Sequence, residues 1–143
     1  RRCAANYRVL HLATHVEFRP DNPLFSGLAL ANGWLTTLDI FNLRLQASLV
    51  TLSACQTGRS LVGGGDELLG LMRAFLAAGA ASLVSTFWPV EDAITADLMR
   101  RFYQALADGA TKGAALRQAQ LPYIDQHPFF WAPFFLVGDT GML

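Results

Sequence analysis

The stretch VTLSACQTG, residues 50–58, is an apolar run that stops at small residues and then presents a cysteine. Extended back to residue 48, SLVTLSA reads as a strand buried on both faces and ending just before Cys55. QTGRSLVGGG (56–65) follows as a flexible, Gly-rich loop. DELLGLMRAFLAAGA (66–80) then reads as a helix, with acids at its positive end, Leu68, Leu71 or Met72, and Phe75 on one face, and Gly79 as its cap. SLVSTFW (82–88) is a further buried strand, stopped by Pro89. A strand, a helix and a second apolar strand in succession form the unit from which parallel sheets are built.

The rest of the chain extends that pattern. YRVLHLAT (7–14) is an apolar strand ending at His15. RPDNP (19–23) is a turn cluster, and LFSGLALANGWLT (24–36) suits a small hairpin around an Asn32-Gly33 turn signal. TLDIFNLRL (37–45) suits a short helix with Thr37 as its N-cap. EDAITADLMRRFYQALADG (91–109) carries an apolar stripe of Ile94, Leu98, Phe102, Ala105 and Leu106, and reads as the longest helix. KGAALRQAQLPYID (112–125) starts another helix, broken near Pro122. FFWAPFFLVG (129–138) supplies a last strand that Pro133 assigns to an edge. The expected fold is α/β, a mostly parallel sheet with helices on both faces.

Composition narrows the function classes. The 143 residues suit one domain and are 52% apolar, with a mean hydropathy of +0.30, ample for a core. Eleven basic and eleven acidic residues cancel, which argues against nucleic acid and against anionic membrane surfaces as partners. The longest uncharged run, 74–90, is too short and too interrupted to span a bilayer. RRCAANYRVLH lacks the apolar core of a signal peptide, so a cytoplasmic location is expected. The chain does not begin with methionine and is expected to be part of a longer protein. Cys3 and Cys55 are the only cysteines, and without a leader they are expected to stay reduced.

In open parallel sheets, sites collect beyond the carboxyl ends of the strands. His15 and Cys55 follow two such strands, and if these are neighbours both residues reach one rim. An imidazole beside a thiol is a base beside a nucleophile, because the thiolate is the reactive form. The bland alternative is that Cys55 is packing, since free cysteine is among the most buried residue types. His11, four residues before His15, sits mid-strand and reads as a hydrogen-bonded core histidine. HLATH lacks the glutamate of a zinc-protease helix, and GGGDE (63–67) lacks the Lys-Ser/Thr of a phosphate loop, so neither a metal nor an organic cofactor is expected.

VLHLATH followed by LVTLSACQTG resembles the caspase-like cysteine peptidases, the clan of caspases, separase and gingipains. Among these it is most similar to the CHAT domain, a bacterial module commonly fused to tetratricopeptide repeats. NPLFSGLAL, GLMRAFLAAGAASLVSTFWPVED, LMRRFYQAL, ALRQAQ and HPFFWAPFFLVGD extend the likeness over nearly the whole chain, 1–143, as a single domain at the C-terminal end of a larger protein. The resemblance implies a three-layer sandwich lacking the first strands of the full fold. The edge of VLHLAT would then lie open unless something pairs with it. It also implies a cysteine endopeptidase of a repeat-fused signalling or defence protein, with His15 as general base and Cys55 as nucleophile. The backbone N–H groups of Cys55 and Val16 would hold the oxyanion.

Val16 replaces the glycine usual at that position of the clan, and loss of one oxyanion donor costs roughly 10²–10³ in rate. A non-enzymatic interaction or signalling module therefore stays open as the second function. Asp66, Glu67, Glu91 and Asp92 are candidates to line a pocket for a basic substrate side chain, although acids at such positions more commonly stabilise helix N-termini. The partners implied are a protein or peptide substrate and upstream repeats or a regulatory region of the same protein.

Overall fold

The computed structural model describes the backbone of residues 7–19, 21–56 and 64–143, and the side chains of the same residues except 54–56 and 64–67. Among the described residues ten strands and α-helices follow in order: β1 (Val9–Glu17), β2 (Gly27–Leu30), β3 (Gly33–Thr36), α1 (Thr37–Phe41), β4 (Leu49–Gln56), α2 (Gly64–Ala77), β5 (Ser82–Thr86), α3 (Asp92–Ala107), α4 (Lys112–Gln120) and β6 (Phe134–Gly138). The connector after β4 and Cys3 lie outside the described residues.

Neighbouring residues of the central strands bury apolar side chains on opposite faces, the pattern that lets helices cover both sides. Val50, Leu52 and Leu83 pack on one face against Ile40 of α1 and Leu71, Met72 and Phe75 of α2. Leu49 and Val84 face the other way, onto Leu98 and Phe102 of α3 and Leu116 of α4. The result is three layers, as expected.

The strand order is β3-β2-β1-β4-β5-β6. β1, β4 and β5 run parallel and form the core of the sheet. The β2–β3 hairpin joins β1 antiparallel, and β6 joins β5 antiparallel at the far edge, where Pro133 led the sequence reading to place it. The flank of β1 is therefore not wholly open. β2 pairs with its upper end through Val16↔Leu28 and Glu17↔Gly27, and the Thr14 hydroxyl donates to the Ala29 carbonyl.

Four boundaries differ from the sequence reading. β1 continues through His15 to Glu17, and β4 through Cys55 to Gln56, because the parallel pairing of the two strands runs on through His15↔Cys55 and Val16↔Gln56. The hairpin turns at Ala31–Asn32, with Gly33 already paired to Leu30. Thr36, not Thr37, caps α1. Asp39 N–H donates to Thr36 Oγ1 (3.1 Å), and Thr36 N–H donates to Asp39 Oδ2 (3.1 Å). Thr37 is buried, and its hydroxyl donates to the Ser26 carbonyl.

The chain closes beneath the sheet. The Asp139 amide donates to the Ala81 carbonyl (2.9 Å). The first two amides of α4, at Lys112 and Gly113, donate to the Gly141 and Thr140 carbonyls (2.9 and 3.1 Å). The fully buried Lys112 ammonium donates to the Ser48 carbonyl (3.3 Å) and to Asp139 Oδ2 (3.1 Å). Among the described residues no helix is long and apolar enough to cross a membrane.

Candidate active site

The parallel register of β1 and β4 pairs His11 with Thr51, Ala13 with Ser53, and His15 with Cys55. Registered residues on adjacent strands lie about 4.8 Å apart. The two residues singled out by sequence thus occupy one rung near the carboxyl ends of the two central strands. The β5–α3 connection and α3 stand back from the upper part of this sheet face. The gap is a groove of about 420 Å³ whose floor is His11, Ala13, His15 and Ser53. Its wall includes Pro89 and Val90, then Asp92, Thr95 and Met99 of α3.

His15 is exposed on this floor. The backbone of Cys55 is in strand at the matching rung. Of the four acids named as candidates for a substrate pocket, Asp92 lines the groove. Glu91 is exposed at the N-cap of α3, makes no capping bond from its side chain and is not among the lining residues. Asp66 and Glu67 fall in the first turn of α2, and their side chains lie outside the described residues. Val16 is an extended residue between Leu28 and Gln56, with its side chain buried against the α1–α2 layer.

His11 is hydrogen-bonded, as read, but it is not a core residue: it is exposed on the groove floor. Its Nε2 lies 3.1 Å from Ser53 Oγ, and its Nδ1 lies 3.1 Å from the Tyr103 hydroxyl. Tyr103 in turn donates to Thr51 Oγ1 (2.8 Å). Partial enclosure disfavours the imidazolium and lowers the His11 pKa below 6.5. Burial raises the Tyr103 pKa, opposed by its bond to Thr51, so the phenol stays protonated at neutral pH. The sequence reading passed over Thr51, Ser53 and Tyr103. The available signal was the two hydroxyls at i and i+2 of a strand otherwise apolar, which fall on one face.

The floor combines imidazole and hydroxyl groups under a wall of mixed character, and the backbone of Cys55 runs at the His15 rung. Such a site suits transfer of an acyl group to a side-chain nucleophile with a histidine as base.

Comparison with known proteins agrees with the fold. The family model described as CHAT domain matches residues 2–139. The chain is 37% identical over 140 residues to mouse tetratricopeptide repeat protein 28, a match covering 95% of this chain and 6% of that protein. It is 38% identical over 113 residues to the human protein of the same name, covering 76% of this chain and 4% of that protein. The family match over nearly the whole chain, with these relatives, shows that the chain belongs to the CHAT domain family.

Proposed function

We propose that this CHAT domain is a cysteine endopeptidase working through His15 and Cys55. The observation that carries the reading is their common rung on adjacent parallel strands, with His15 on the groove floor. His15 takes the thiol proton, and the Cys55 sulfur attacks a peptide carbonyl carbon. The oxyanion is held by the Cys55 N–H together with that of Val16. The amine leaves with the proton from His15, and water then hydrolyses the thioester. No metal or organic cofactor takes part. Asp92 on the wall favours a substrate with a basic side chain beside the scissile bond. Asp66, Glu67 and Glu91 are weaker candidates for the same role. The domain, 1–143, would be the protease module of a longer cytoplasmic protein carrying tetratricopeptide repeats, in keeping with the names of its mammalian relatives.

A second reading has its own support. Val16, β-branched and locked between two strands, stands where the clan uses glycine. A domain so altered would serve as an interaction module. A peptidyl acyloxymethyl ketone separates the two. The peptidase alkylates at Cys55, loses all labelling in Cys55→Ala, and labels roughly 10²–10⁴-fold more slowly in His15→Ala. Labelling at the rate of a simple thiol, indifferent to His15, supports the interaction module.

A further inference from the structure

We propose that Ser53 and His11 form a second nucleophile–base pair in the groove, one rung before Cys55 on β4, that accepts acyl groups from activated carboxylic esters. Tyr103 is the positioning residue. The site goes beyond the thiol chemistry above and uses neither Cys55 nor His15.

One hydrogen-bond chain links Thr51, Tyr103, His11 and Ser53. The Tyr103 hydroxyl proton is directed to Thr51 Oγ1 (2.8 Å), so the phenol oxygen accepts from His11 Nδ1–H (3.1 Å). A neutral imidazole carries one ring proton. With that proton at Nδ1, Nε2 presents its lone pair to Ser53 Oγ at 3.1 Å, and the serine hydroxyl donates into it. A nucleophile is thereby bonded to a base, which is itself oriented by a third group. Partial enclosure keeps His11 unprotonated at neutral pH, the form a base requires. Tyr103 comes from α3 and Thr51 from β4, and its ring lies 5.6 Å from that of His11 at a 31° tilt, so the imidazole is held from a second element. His11 and Ser53 both face the groove, whereas Tyr103 and Thr51 stand behind them.

In the reaction, Ser53 Oγ bonds to the ester carbonyl carbon and its proton passes to His11 Nε2. The bond to the leaving alkoxide or phenoxide breaks, and the proton follows it or goes to water. The product is an acyl-serine, which water hydrolyses with His11 again as base.

The test uses the full chain in a Cys55→Ala background, so the thiol contributes nothing and failure of the peptidase reading does not touch the result. The probes are p-nitrophenyl acetate, followed by nitrophenol release, and an alkyl fluorophosphonate, followed by peptide mapping. The expected result is one adduct on Ser53, absent in Ser53→Ala and formed at least about a hundredfold more slowly in His11→Gln. In Tyr103→Phe the pH profile of labelling should move to lower pH, because the imidazolium loses an acceptor, a change that loss of packing alone would not produce. No adduct on Ser53, or an adduct formed equally fast in His11→Gln, overturns the proposal. Long-range proton–nitrogen correlation spectra of the unmutated chain give a reading independent of whether the variants fold. A His11 Nδ1–H tautomer at pH 7 supports the pair, and an Nε2–H tautomer overturns it.

Discussion

At Gly79 the backbone turns out of α2 with φ +107°, and a β-carbon there would collide with the Leu45 carbonyl oxygen. Gly79→Ala therefore meets both conformational strain and a backbone clash, and the strain alone is about 1–3 kcal/mol. The urea midpoint should fall accordingly, with an unchanged slope. His11 gives a pH-dependent signature. Its folded-state pKa lies below 6.5 because the groove disfavours the charged ring. Its contribution to stability is thus complete above pH 6.5 and lost as pH falls through the folded pKa. His11→Gln should flatten the fall of melting temperature just below pH 6.5 and leave the profile above pH 7 parallel to that of the parent. Residues of this kind are hard to read from a sequence. His15 and Cys55 stood out because a motif surrounds them, whereas Tyr103 joins the site through contacts with Thr51 and His11, 52 and 92 residues away.

At the scale of elements, the strands, α2, α3 and α4 were legible because apolar spacing and glycine or proline stops coincide. The ends of β1 and β4 were not. His15, Glu17 and Gln56 look like loop residues in isolation, yet they extend the strands because the β2–β3 hairpin supplies hydrogen-bonding neighbours at the upper end of β1 and the groove leaves β1's outward face uncovered. The cap of α1 was misread by one residue. Thr36 and Thr37 are chemically equivalent, and only the tertiary partner Ser26, which takes the Thr37 hydroxyl, decides between them. Thr36→Ala removes the side-chain half of the capping box, leaving the Asp39 amide without its acceptor, and should destabilise the chain by about 1 kcal/mol, measured by chemical denaturation. Thr36→Ser should restore most of the loss.

For the molecule as a whole, the sheet divides the interior into two apolar layers that share only the strands. Phe75 anchors one and Phe102 the other, both nearly or fully buried. Phe75→Ala and Phe102→Ala should each lower stability by about 3–5 kcal/mol, and the double variant should be unfolded, since a domain has only about 5–15 kcal/mol in total. Tryptophan fluorescence and far-ultraviolet circular dichroism should give coincident melts for each single variant. The three-layer plan was legible in the order of elements, but the antiparallel hairpin at one side was not, because nothing in a short local pair states which strand it will join. The return of the chain beneath the sheet was equally silent in the sequence, and it gives residues 139–143 an unusual weight. Deleting them would uncover the two leading amides of α4 and strip the enclosed Lys112 of its counter-ion. The damage would pass from this segment into α4 and then into α3, which forms a wall of the groove at the opposite end of the strands.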